Sequence, residues 1–127
     1  MSVKNAWTEL LKHRKDDFIG GEIEHTETPE GMYRGPIVSL SVEGNKLVVT
    51  TKWTAHVETN RIGLPVGDWH KEERKGATRF SYDLMDDITS PPQDMGEGRI
   101  YFQYPFSRIM LSPANGSKLD PAKVRGL

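Results

Sequence analysis

GPIVSLSVEGNKLVVTTKWTAHV, residues 35–57, reads as two alternating runs around a Gly44-Asn45 turn. Val38, Leu40 and Val42 alternate with Ser39 and Ser41 on the way in, and Leu47, Val49, Thr51, Trp53, Ala55 and Val57 alternate on the way out. Glycine and asparagine tolerate positive φ, so this two-residue loop selects a primed turn whose twist matches the flanking strands. The predicted register sets Glu43 opposite Lys46, Val42 opposite Leu47, Leu40 opposite Val49 and Val38 opposite Thr51. Both apolar sets then share one face of the ribbon, and that face is core.

Outward from the ribbon, the same period recurs with interruptions. Ile23 and His25 alternate with Glu22, Glu24 and Thr26, which predicts a strand over residues 22–26. Thr28-Pro29-Glu30-Gly31 reads as a turn, and Pro36 marks a strand start or an edge. From Glu58 to Gly76 the pattern dissolves into a long loop broken by Gly63, Pro65 and Gly67. Thr78, Phe80, Tyr82 and Leu84 alternate again, as do Ile100, Phe102 and Tyr104. Pro105 interrupts that last run before residues 107–111, so a bend, a bulge or an edge is expected there. At the N-terminus, Val3, Trp7, Leu10, Leu11 and Phe18 recur at helical spacing, with Ser2 placed to cap and Gly20-Gly21 to stop. A helix over about residues 3–17 should pack its apolar stripe on the strands.

The 127 residues fit a single domain: the helix, a β-core over about 22–111 and a polar tail over 112–127. The fold class expected is all-β and mainly antiparallel: a small barrel or strongly curved sheet of five to six strands, with one N-terminal α-helix. Net charge is −1, so no global field draws the chain to nucleic acid or anionic lipid. Cysteine is absent, which removes disulfides, thiol nucleophiles and thiolate metal sites. Neither a signal peptide nor an apolar run of membrane-spanning length is visible, so no membrane association is expected and the cytoplasm is the expected setting.

Spacing offers no catalytic signature. His13, His25, His56 and His70 form none of the metal-binding histidine spacings, so a zinc site would have to be assembled across strands. The carboxylate pairs Asp16-Asp17, Glu72-Glu73 and Asp86-Asp87 are sequence neighbours, which seldom converge on one bond. Nucleophile elbows and phosphate-cradling glycine spacings are missing as well. No catalytic residue, metal or cofactor is therefore expected.

The densest local signal is Trp69-His70-Lys71-Glu72-Glu73-Arg74-Lys75-Gly76, extended by Arg61 before it and Arg79 after it. Cations beside an exposed tryptophan suit phosphates and unstacked bases, although two glutamates interleave with them. Trp53, Phe80, Tyr82, Phe102 and Tyr104 fall on predicted strands, where they either fill the core or line a pocket.

In outline, the helix, the Gly-Glu-Ile-Glu strand at 21–24, Tyr-Arg-Gly-Pro-Ile-Val at 33–38 and Lys-Leu-Val-Val-Thr at 46–50 resemble the element order of SH3-like and Sm-like small barrels. The resemblance covers about residues 3–57. Val124-Arg125-Gly126 is similar to the short Arg-Gly signature near the end of Sm proteins, while the Asp and Asn around their base pocket have no counterpart here. What the resemblance implies is a barrel topology.

Three functional expectations follow. The first is a non-enzymatic binding or assembly domain that engages a macromolecular partner, protein rather than nucleic acid, through a long loop or an exposed strand edge. Pairing of such edges would also make a homo-oligomer. The second is single-stranded nucleic-acid binding through Arg61, Trp69, His70, Lys71, Arg74, Lys75 and Arg79. The third is a small-ligand barrel or enzyme with His25 and His56 near an aromatic-walled pocket.

Overall fold

A computed structural model describes residues 2–27, 31–62, 64–71 and 78–116. Helix α1 (Val3–Phe18) starts where the sequence places it. Ser2 Oγ accepts from the Asn5 amide at 3.1 Å, and Asp86 Oδ1 accepts from the Val3 amide at 2.7 Å. These two oxygens satisfy amides that a first helical turn leaves open, and the Asp86 carboxylate sits at the positive end of the helix dipole. At the other end, Gly20 takes φ +84° and turns the chain into the first strand.

Nine strands follow among the described residues: β1 (Glu22–Glu27), β2 (Gly31–Glu43), β3 (Lys46–Thr51), β4 (Ala55–Thr59), β5 (Pro65–Lys71), β6 (Thr78–Asp83), β7 (Gln93–Asp94), β8 (Ile100–Tyr104) and β9 (Ser107–Ser112). All pairings are antiparallel, in the order β5-β4-β2-β1-β9-β8-β7, with β3 joining β2 to β6 off that path. The 13-residue β2 serves two layers: its first half lies between β1 and β4, and its second half pairs with β3. Side chains of the main sheet and of β2-β3-β6 then meet across one core.

Mostly antiparallel β-structure with one helix agrees with the sequence reading, while the strand count and the barrel need correction. There are nine described strands rather than five or six, and no pairing joins β6 to β8 among the described residues. Tyr82 of β6 instead meets Phe102 and Tyr104 of β8 edge-on, each at 5.2 Å between ring centres. The sheet is open along that seam.

The 35–57 hairpin keeps its predicted register from Glu43/Lys46 to Leu40/Val49 and then departs from it. Thr51 pairs with Ile37, and Val38 becomes the extra residue of a bulge, 45% exposed. One inserted residue keeps both Ile37 and Leu40 inward, which strict alternation across 37–40 would forbid. The return strand also breaks at residues 52–54. Ala55 and Val57 pair with Arg34 and Met32, whose parity is opposite to that of Tyr33, so they lie on the face of the main sheet away from the core. Gly35 permits this corner, because a Cβ there would run into the Trp53 carbonyl.

Two further expectations change. The expected loop at 58–76 contains β5, whose outer position and bulged pairing with β4 leave little alternation to read. Pro105 does not bend a strand: with Phe106 it forms the two-residue turn between β8 and β9, since Tyr104 pairs with Ser107. Residues 93–94, between the alternating runs of β6 and β8, form the two-residue β7. The turn at 28–30, residues 72–77 and the tail beyond 116, with Val124-Arg125-Gly126, lie outside the described residues.

Trp7 and Phe18 carry α1 onto the core, both fully buried with Ile23, Ile37, Leu40, Leu47 and Phe102. Each such side chain contributes about 1.5–3 kcal/mol by leaving water. Arg14 extends the docking of the helix, donating to the Gly98 carbonyl at 2.7 Å while lying 4.9 Å over the Phe18 ring.

Candidate functional site

In an antiparallel edge strand, successive residues alternate between turning both backbone groups toward the partner and turning both away. The Leu84 amide donates to the Asn45 carbonyl at 2.7 Å, on the β3 side, whereas the Asp83 amide donates to the Tyr104 hydroxyl at 3.2 Å, on the other. Arg79 and Ser81 share the parity of Asp83. Asp83 is satisfied on both counts, its carbonyl accepting from the Thr89 hydroxyl. The outward N–H and C=O groups of Arg79 and Ser81 meet no hydrogen-bond partner among the described residues.

Those groups front a cleft of about 380 Å³ between β6, β1 and the β8-β9 turn. His25, Glu27 and Tyr33 form its floor, with Tyr104, Pro105 and Ser107 opposite β6. His25 Nδ1 lies 2.7 Å from the Tyr82 hydroxyl and Nε2 3.2 Å from Glu27 Oε1. Burial pushes the His25 pKa down, against the hydrogen bond and charge of Glu27, and burial pushes Tyr82 well up, helped by the charges of Glu27 and Tyr104. A neutral imidazole and a protonated phenol leave one consistent arrangement: Tyr82 donates to Nδ1, and Nε2–H donates to Glu27.

The β8-β9 turn adds an unusual side chain. Phe106 stands at φ +60° and is 88% exposed. A bulky residue in the left-handed region is strained, and its ring remains in water beside the cleft wall formed by Pro105 and Ser107.

Other outer strands differ from β6. β5 starts at Pro65, contains Gly67 at φ +90° and pairs through a bulge, and β7 is two residues long. Those are the devices by which sheets discourage edge pairing. β6 has six residues and neither proline nor glycine.

The residues singled out in the sequence are dispersed. Arg61 is exposed in the β4-β5 connection, and Trp69, His70 and Lys71 lie on β5. The Trp69 ring is half-buried with the Arg34 guanidinium 5.4 Å from its centre, and Arg34 is itself bound to Glu22 and Glu24. Arg79 is on β6 and pairs with Glu43 at 3.2 Å. Arg74 and Lys75 lie outside the described residues.

His25 and His56 occupy β1 and β4, on opposite sides of β2, and the Tyr33 ring lies between them at 6.2 and 4.6 Å. Among the described residues no three His, Asp or Glu side chains gather as metal ligands. Of the carboxylate pairs, Asp86 caps α1 instead of meeting a substrate.

The sequence reading named His25, Phe80, Tyr82 and Tyr104 but not Glu27, Ser81 or Phe106. A signal for Phe106 was present: Pro-Phe between two period-two runs is a turn that leaves an aromatic outside.

No described helix is long and apolar enough to cross a membrane. Compared with family models, curated proteins and solved structures, the chain matches none.

Proposed function

We propose that the protein is a binding module that adds an extended segment of a partner protein to the free side of β6. The observation that carries this reading is the outward backbone of Arg79 and Ser81, which offers to an open cleft two donors and two acceptors with no partner among the described residues. Strand addition uses such groups for affinity and the adjoining pocket for side-chain choice. Phe106, between the cleft-lining Pro105 and Ser107, provides an exposed apolar anchor for such a segment, which gives its backbone strain a use. The His25 nitrogens are both engaged within the protein, which favours binding over proton-transfer chemistry.

Ser81→Pro tests the proposal. It removes an outward donor without touching the β3 ladder, so the circular dichroism spectrum should remain that of the parent. Selection from a displayed library of random decapeptides should yield binders that shift the Arg79 and Ser81 amide resonances, and Ser81→Pro should abolish their binding. Binders that map to β5, or that ignore the proline, would reject the assignment. A two-copy mass in light scattering that Ser81→Pro reduces to one would give this edge to a second copy of the chain instead.

A further inference from the structure

A second recess lies on the outer face of the main sheet and does not depend on the β6 reading. Met32 and Met110 alternate with the inward Tyr33 and Ile109, so they point away from the core. Ile62 and Leu64, from the β4-β5 connection, line a mainly apolar groove of about 300 Å³ with these methionines. Both are poorly covered, Ile62 being 72% and Leu64 55% exposed. Burying them on a ligand is favourable because it removes apolar surface from water.

Two charged residues also line the groove, Glu24 and Arg108. They are not equivalent. The Glu24 carboxylate shares the Arg34 guanidinium with Glu22, lying 3.3 Å from one of its nitrogens. Arg108, opposite Thr26 on β1 and Gln103 on β8, has no ion pair or hydrogen bond among the described residues. The groove therefore combines an apolar wall with one uncompensated guanidinium, whose planar fork fits a carboxylate in bidentate fashion.

We propose that this groove binds a small amphipathic monocarboxylate, its carboxylate on Arg108 and its hydrocarbon body against Met32, Ile62, Leu64 and Met110. The volume suits a body of about eight to twelve non-hydrogen atoms. Flexible methionine side chains accommodate an aliphatic chain or a single ring.

Octanoate, octan-1-ol and octylammonium share one tail and differ in head-group charge, so together they separate anion recognition from apolar binding. Titrated into the protein up to about 10 mM and followed by amide shifts, octanoate should bind at least tenfold tighter than either other probe and move Thr26, Met32 and Met110. Arg108→Gln should bring octanoate down to the level of octanol, and Arg108→Glu should reverse the preference toward octylammonium. Arg108 is exposed, so both variants should keep the parent spectrum elsewhere. Equal binding of the three probes, octanoate binding unchanged in Arg108→Gln, or no octanoate binding would each overturn the proposal. Octanoate shifts confined to Arg79 and Ser81 would do so too, and the β6 reading would be unaffected.

Discussion

The helix side of the core and the β6 side are both finished with aromatic rings, and only one is sealed. Under α1, Trp7 and Phe18 are fully buried, with Trp7 edge-on to Phe102 at 5.0 Å. Along β6, Phe80 is joined by Tyr82, Tyr104, Tyr33 and His25, four rings that each carry a polar atom needing a partner. Tyr82 finds His25, and Tyr104 finds the amide and carboxylate of Asp83. Side-chain hydrogen bonds thus stand where a backbone ladder would have closed a barrel. Phe18 and Phe102 are covered without leaving a polar group behind and the seal over Trp7 leaves only its indole N–H, whereas hydroxylated rings and histidine fix a seam at the depth their partners allow.

The sharpest way to break this comparison is Trp7→Ala. It should destabilise the protein by about 3–5 kcal/mol in urea denaturation, and a loss below about 1 kcal/mol would show that the helix does not seal the core. Trp7→Phe should cost far less, because the buried indole N–H has no hydrogen-bond partner among the described residues and leaves with the ring.

On the open side, Tyr82→Phe strips His25 Nδ1 of its donor and should cost about 1–3 kcal/mol without loss of the folded spectrum. A neutral outcome would mean that the seam is held by ring packing alone.

Burial of His25 gives the seam a pH dependence. The folded pKa of His25 lies below the usual 6.5, so the unfolded chain takes up this proton first as pH falls. The contribution is whole above about pH 6.5 and is lost progressively below it, with a slope of at most about 1.4 kcal/mol per pH unit. Denaturation between pH 8 and pH 5 should show this slope in the parent and a smaller one in His25→Gln. Equal slopes would show that His25 titrates no differently once folded.

The smallest effect expected is a gain. Phe106→Gly should stabilise the fold by about 1 kcal/mol, because glycine takes φ +60° without strain. It should also weaken peptide binding at β6. Stabilisation with unchanged binding would remove Phe106 from the proposed interface while leaving the strand edge in place.

Local signals carried much of this structure. Ser2 as the cap of α1, Gly44-Asn45 as the turn and the Leu40/Val49 register were legible because each depends on residues close in sequence and on burial of one face. β6 and β8 were legible for the same reason. β5 was not, since its residues are mostly exposed and no one-sided burial imposes a period on them. The Val38 bulge left no mark either, because valine fits a strand whichever way it points.

The candidate sites were less legible than the elements. An aromatic-walled pocket near His25 was among the sequence readings, whereas its hydrogen bond to Tyr82 joins residues 57 positions apart. The freedom of the β6 edge is a property of what fails to pair with it, which no window of sequence contains.

Taken alone, the sequence determined the helix, the strands buried on one face and the Gly44-Asn45 turn, because backbone preference and apolar period act over a few residues. Only the tertiary structure decided that β2 serves two layers, that the sheet stops short of a barrel and that Glu24 reaches Arg34 while Arg108 meets no ion-pair partner among the described residues. Those outcomes depend on which distant groups compete for the same space and the same hydrogen bonds, and that competition exists only once the chain is folded.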